Sequence, residues 1–273
     1  MKSKVDAGPT EAGCQRLWTL TRAVSPVIGT AIHDGSGVRE SLLDRFALSA
    51  QERQREEDPF TAFLINDVPN QVVGHRSRFE FDLNRSRDSA LYLTPEQAWG
   101  LKVWREPLPQ EEKARSLALH DSYYTMLRTF LKEIELDFGR FVVLDVHSYN
   151  HRRAAPDAET SQQDAPDINI GTFSMDRDRW AYVVEPLIEH LQTIVVNGRP
   201  LDVRENVAFQ GRGEQTHFIH EAFPETGCAV AIEFKKIFMD EWTGEPDCVV
   251  LDELRRGLAA AVPLLERILG YGS

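Results

Sequence analysis

The sequence predicts an α/β protein, and three observations carry that reading. Short apolar runs rich in β-branched and aromatic residues, such as Phe141-Val142-Val143-Leu144 and residues 228–234, have the character of buried strands. Longer segments between them, residues 110–134 above all, carry apolar residues at helical spacing. Several of the strand-like runs end in histidines and carboxylates, which is where open α/β sheets bind ligands.

Composition narrows the class. At 273 residues, with 42% hydrophobic and 27% charged side chains, the chain suits one large globular domain. The expected organisation is a lead-in over residues 1–23 followed by a single domain over 24–273. Lys and Arg number 31 against 43 Asp and Glu, a net charge of -12, which argues against nucleic acid and anionic membrane surfaces as partners. A local arginine cluster can still bind a small anion. Cys14, Cys228 and Cys248 form no paired metal-finger spacing, so neither a disulfide framework nor a structural zinc site is expected. With no secretory apolar core near the start and no apolar run near the ~20 residues that span a bilayer, a soluble cytoplasmic protein is expected. Oligomeric state leaves no readable signal.

In chain order, a short helix is expected around residues 15–22. A strand over 24–32 follows, breaking into His33-Asp34-Gly35-Ser36-Gly37, where glycines permit a sharp turn close to a ligand. The same segment also fits a plain glycine-rich turn. Residues 40–55 have helical composition. Asp58 before Pro59 has the form of an N-cap and first-turn proline opening a helix over 60–65. Phe79, Phe81 and Leu83 alternate with Glu80, Asp82 and Asn84, a half-buried strand pattern over 76–83. Arg78, Asn84 and Arg85 along or after it could receive a carboxylate in a bidentate fork, or could equally be surface ion-pairing residues. A helix begins at Thr94, and residues 110–134 form the long amphipathic helix.

The run 141–144 then leads into Asp145-Val146-His147-Ser148. On a strand Asp145 and His147 share a face, so Asp145 is placed to order the backbone beyond the strand or to bond a ring nitrogen, and a buried histidine merely held by its neighbouring aspartate fits as well. Residues 150–167 are polar with no hydrophobic period and read as a mobile loop, with His151, Arg152 and Arg153 at its root. A strand over 168–173, a helix over 179–196 and a strand over 203–209 follow. Next comes Gly211-Arg212-Gly213, then His217 and His220, whose spacing on a helix would place both on one face; the segment fits a flexible loop over a pocket more readily than a metal pair. The strand over 228–234 is apolar until Glu233. A carboxylate there is costly unless it is paired or acts as a base poised by low dielectric. A helix over 249–269 closes the chain.

Taken together, strand ends carry His33, His147 and Glu233, another extended segment carries Arg78, Asn84 and Arg85, and Asp58 lies between. Two histidines and a carboxylate suit a zinc site with a position left for water, and a nearby glutamate could take that water's proton.

These pieces resemble the N-formylglutamate amidohydrolase family and, more distantly, aspartoacylases and zinc carboxypeptidases. The resemblance lies in His33-x-Gly35, Asp58 before a helix, Ser77-Arg78-Phe79, Asp82-Leu83-Asn84-Arg85, Asp145-x-His147-Ser148 and Ile232-Glu233-Phe234. It implies a three-layer α/β/α sandwich around a mixed sheet. It also implies a divalent metal, usually Zn2+, held by His33, Asp58 and His147. Arg78 would stabilise an oxyanion, Asn84 and Arg85 would clamp the carboxylate of a small anionic N-acyl amino acid, and Glu233 would be general base and acid. Family members usually read His-Ser-Gly where this chain has His33-Asp34-Gly35. Ser36 stands where aspartoacylase-like relatives carry their acidic ligand, so that ligand must come from Glu56, Glu57 or Asp58. Asp58 is preferred for the helix it precedes. The alternatives are a deacylase or small carboxypeptidase of other specificity, and a non-catalytic binder.

Overall fold

The structure, a computed structural model, describes residues 3–5 and 16–271. In chain order the elements are β1 (Ser3–Val5), β2 (Trp18–Arg22), β3 (Val27–Ala31), α1 (Glu40–Leu43), α2 (Ala50–Glu56), α3 (Thr61–Leu64), β4 (Asn70–Gly74), α4 (Gln110–Phe138), β5 (Phe141–Tyr149) and β6 (Ile168–Gly171). There follow α5 (Ala181–Gln192), β7 (Val195–Val196), β8 (Arg199–Pro200), β9 (Val203–Glu205), α6 (Glu214–Ala222), β10 (Gly227–Lys235) and α7 (Cys248–Ile268). Among the described residues eight strands make a mixed sheet in the order β1-β2-β4-β3-β5-β10-β6-β9. The central run β4-β3-β5-β10 is parallel, and β6 lies antiparallel to β10.

Helices cover both faces, which is why the central strands are apolar on both sides. Val142, Leu144, Val146, Val230 and Ile232 face α5 and α7, where Val250, Leu254, Leu258 and Leu265 supply an apolar stripe. Phe141, Val143 and Ala229 face α4 and α6, against Tyr123, Leu127, Leu131 and Ile219. Three layers result. Asp145, His147 and Glu233 continue the α4-side face of β5 and β10 toward their carboxyl ends. Among the described residues, no helix is long and apolar enough to cross a membrane.

Several local expectations are corrected. The helix expected over 15–22 is strand β2 from Trp18, residue 15 lying outside the described part. The expected helix over 40–55 is broken in two, because Phe46 and Leu48 turn into a third cluster with Phe79, Tyr92 and Trp104. Ser49 and Glu52 then form a capping box that restarts the chain as α2. Residues 76–83 form no strand. Phe79 packs into the third cluster and Phe81 and Leu83 into the α4-side core, while Glu80 and Asp82 are buried as well. The alternation therefore marks two cores and two ion-pair networks, with neither side facing water.

Asp58 does not cap α3 with its side chain. Phe60 takes that position at φ 71, and the carboxylate of Asp34 accepts the Ala62 N–H at 2.9 Å instead. The helix expected over 179–196 stops at Gln192, and an Asn197-Gly198 turn with positive φ at both residues joins β7 to β8. The loop over 150–167 is fastened at both roots. Glu241 accepts the backbone N–H of His151 at 2.8 Å and of Arg152 at 2.9 Å, while Lys235 Nζ donates to the Ala165 carbonyl at 2.9 Å.

Candidate active site

A cleft of about 450 Å³ opens at the carboxyl ends of β3, β5 and β10. Parallel register brings its polar groups together. Thr30 on β3 lies beside Asp145 on β5, which carries His33 just past β3 toward the level of His147, and Glu233 on β10 is the register partner of His147. The imidazole rings of His33 and His147 stand 5.1 Å apart between centroids. Asp58 lies between them: its Oδ2 is 3.3 Å from His33 Nδ1 and 3.1 Å from His147 Nδ1. All three residues are buried, and one ligand atom from each lies within 4.8 Å of the others.

The back of each ring is held by a carboxylate. Asp82 Oδ1 is 2.7 Å from His33 Nε2, and Asp145 Oδ1 is 3.2 Å from His147 Nε2. Carboxylates behind Nε2 favour a proton there, which leaves the Nδ1 lone pairs aimed at the Asp58 carboxylate. Lone pairs of three ligands directed into one buried volume repel one another unless a cation or a proton sits among them. Among the described residues His33 Nδ1 has no hydrogen-bond partner, although it is buried. The donor set, two imidazole nitrogens and a carboxylate oxygen backed by further carboxylates, therefore fits a divalent cation such as zinc.

The titrations fit this arrangement. Burial would raise the Asp58 carboxyl, but the His147 and His33 rings beside it overturn that and hold it well below the usual range. Burial would lower His147, yet Asp145 and Asp58 push it well above an ordinary histidine. Burial pushes Glu233 up to about 7, against the opposing pull of His147.

The other two candidate acids are engaged elsewhere. Glu56 meets Arg153 at 3.0 Å and Asn150 at 3.3 Å, and Glu57 accepts the Ser77 hydroxyl. Arg78 lines the cleft with three donors directed to protein acceptors: Asp82 at 2.9 Å, the Glu56 carbonyl at 3.2 Å and Tyr92 Oη at 3.3 Å. Asn84 Nδ2 lies 3.5 Å from His147 Nε2, and Arg85 stands over the Tyr92 ring. His217 and His220 share no site. His220 is held between Ser174 and the Ala229 N–H, and His217 faces solvent.

Sequence reasoning did not single out Gln215, Trp99 or Lys236. Gln215 Nε2 donates to Asp145 Oδ1 at 2.5 Å, and Trp99 forms part of the cleft wall beside Arg78. Lys236 is fully buried, with Nζ donating to the carbonyls of Arg55 at 2.6 Å and Glu57 at 2.8 Å. Burial pushes that ammonium down to about 8. A lysine one residue past a strand's end, next to a second lysine, was the only signal available for it.

Fold and cleft together define an α/β-sandwich protein with a buried group able to hold a cation at the carboxyl ends of its central strands. The chain belongs to the N-formylglutamate amidohydrolase family, whose model matches residues 25–239. Among solved structures it is similar to N-formylglutamate amidohydrolase from Ralstonia eutropha JMP134, at 16% identity and TM-score 0.73, with 93% of this chain and 97% of that one covered. It is also similar to a gene product from Agrobacterium tumefaciens, at 19% identity and TM-score 0.59, over 91% and 89% of the two chains. At such identities the likeness is one of fold. No curated protein matches the chain.

Proposed function

We propose that this protein is a metal-dependent amidohydrolase, with zinc as the expected ion, that cleaves the N-formyl amide of an acidic amino acid such as N-formyl-L-glutamate to glutamate and formate. The observation that carries the reading is the Asp58 carboxylate set between the Nδ1 atoms of His33 and His147, each ring backed by an acid. His33, Asp58 and His147 would hold the ion. When bound, it supplies Lewis-acid polarisation and makes water acidic enough to react near neutral pH.

The remaining work falls to the chain's own side chains. Glu233, a carboxyl pushed up to about 7, accepts the proton of the attacking water and returns it to the departing amine nitrogen. As the C–N bond breaks, the formyl carbon leaves as formate. Arg78 stabilises the oxyanion with donors that its bonds to Asp82, Glu56 and Tyr92 leave over. Those bonds also fix the guanidinium in place before substrate arrives. Asn84 and Arg85 receive a substrate carboxylate.

The test is formate release from N-formyl-L-glutamate by chelator-treated and zinc-restored protein, alongside N-acetyl-glutamate and a dipeptide. Zinc-restored activity highest on the formyl substrate is expected. Activity indifferent to metal, or confined to the dipeptide, overturns the proposal.

A further inference from the structure

The cleft holds more positive charge than one carboxylate requires, and the cations differ in what already occupies them. Arg78 is paired with Asp82 and Arg153 with Glu56, while Lys236 is spent on two backbone carbonyls. Arg85 and Arg212 have no carboxylate partner among the described residues. Arg85 reaches only the Gln97 carbonyl at 3.5 Å and the Tyr92 ring, and Arg212 reaches Gln210 Oε1 at 2.7 Å and the Phe173 ring at 3.3 Å. In a chain with twelve more acids than bases, two guanidiniums without an acid in a single cleft are a matched vacancy for two anionic groups.

The loop that presents Arg212 is built to hold it there. Asn169 is fully buried on β6 in register with Glu233, and its Oδ1 accepts the N–H groups of Val207, Ala208 and Phe209, while its Nδ2 donates to the Phe209 carbonyl. Past that anchor, Gly211 packs backbone to backbone on Gly171, where an added Cβ would lie 2.5 Å from main-chain atoms. Gly213 abuts Asn84 so closely that a Cβ would fall 2.1 Å from its Oδ1, and the Glu214 N–H donates to the Asn84 carbonyl at 3.1 Å. Arg212 thus rides on a backbone fastened on one side to the strand beside Glu233 and on the other to the residue preceding Arg85. The exposed guanidinium sits over the Phe173 ring, which holds it at the cleft wall.

We infer that Arg212 receives the second, side-chain carboxylate of the substrate and makes the cleft selective for dicarboxylic N-acyl amino acids over neutral ones. The assignment rests on the amidohydrolase reading for the identity of the substrate, but the binding step it describes is independent of turnover.

The test has two arms. In the first, kcat/KM is compared for N-formyl-L-glutamate and the near-isosteric N-formyl-L-glutamine, in the zinc-loaded wild type and in Arg212→Gln. The wild type is expected to prefer the glutamate substrate by about 10–100-fold, the range for a hydrogen-bonded charge pair. Arg212→Gln should bring that ratio near one while leaving turnover of the glutamine substrate within about 2-fold. In the second, glutarate and butyrate are titrated calorimetrically into the same two proteins. Glutarate should bind the wild type more tightly than butyrate, and Arg212→Gln should erase the difference. A glutarate advantage that survives Arg212→Gln, or is missing from the wild type, overturns the inference. If neither formyl substrate is hydrolysed the amidohydrolase reading fails, and the glutarate arm still decides the role of Arg212. Because the guanidinium is at the surface, a circular dichroism melt matching wild type is expected for the variant, and Arg212→Lys should retain part of the preference.

Discussion

Asp145→Asn isolates the contribution of a carboxylate that touches the proposed metal only through a histidine. In the wild type Asp145 Oδ1 takes hydrogen bonds from Thr30 at 2.8 Å and Gln215 at 2.5 Å and lies 3.2 Å from His147 Nε2, while Oδ2 has no hydrogen-bond partner among the described residues. An asparagine can keep its oxygen toward Thr30 and Gln215 and place the amide where Oδ2 was. What is lost is the negative charge behind the ring. Removing such a partner costs about 10–100-fold in metal affinity, which is about 1.4–2.7 kcal/mol at 1.36 kcal/mol per tenfold. At a fixed excess of zinc the metal-linked stabilisation falls by the same amount. For a chain of this size the zinc-induced rise in Tm should then be about 3–10 °C smaller in the variant.

The sign of the pH dependence is also fixed. In the metal-free protein Asp145 helps hold His147 well above its ordinary value, so zinc must displace a proton at low pH. Asp145→Asn eases that displacement, which offsets part of the lost affinity while His147 is protonated. The offset disappears once pH exceeds the histidine's folded value. The variant's zinc deficit should therefore widen as pH rises. Chelator competition across a pH series and scanning calorimetry with and without zinc measure both effects. Equal zinc affinity in the two proteins, or a deficit that narrows with rising pH, refutes the reasoning.

Glu233→Gln should keep its zinc and lose about 10²–10⁴-fold in kcat, read from metal content and initial rates. In the zinc-loaded wild type kcat/KM should fall as pH drops and Glu233 takes up its proton, at a pH below the value of about 7 in the metal-free protein because a cation nearby favours the carboxylate. Between its ordinary value of 4.5 and about 7 the folded protein holds a proton that the unfolded chain has lost, so this group's contribution to stability declines as pH rises through that window. Metal-free Glu233→Gln should accordingly melt above wild type at about pH 8, and the gap should close by about pH 4. Arg85→Ala should raise KM with little change in kcat, and an unchanged KM removes the clamp assignment. Gly213→Ala should displace the Asn84 amide, raising KM while Tm stays within about 2 °C, since the obstructed atoms are the free end of a side chain and φ at Gly213 is -65.

The central strands were legible because parallel strands covered on both faces have to be continuous apolar runs, and Phe141–Leu144 and residues 228–232 are such runs. The bearing of Asp145 on a ring nitrogen also followed from strand alternation. Asp82 was quoted only as part of a motif, and its grip on His33 Nε2 depends on a turn that the Phe79-Phe81-Leu83 alternation disguised as a strand. Asp58 looked like a helix cap because Asp-Pro so often is one. Pro59 cannot tell where the carboxylate points, and Asp34, distant in sequence, meets the Ala62 N–H instead. Gly211-Arg212-Gly213 read as flexible for a similar reason. Glycine permits mobility and close packing alike, and only the positions of Gly171 and Asn84 distinguish them.

The ammonium of Lys236 ties the backbone just before Asp58 to the strand that carries Glu233. The proposed ion holder and proton acceptor consequently share one mechanical frame. On the proposed reading, such a centre is assembled before any ligand enters. Induced closure then has nothing to complete there, and adaptation to new acyl amino acids is left to the rim, where the side chains can be exchanged without retuning the chemistry beneath.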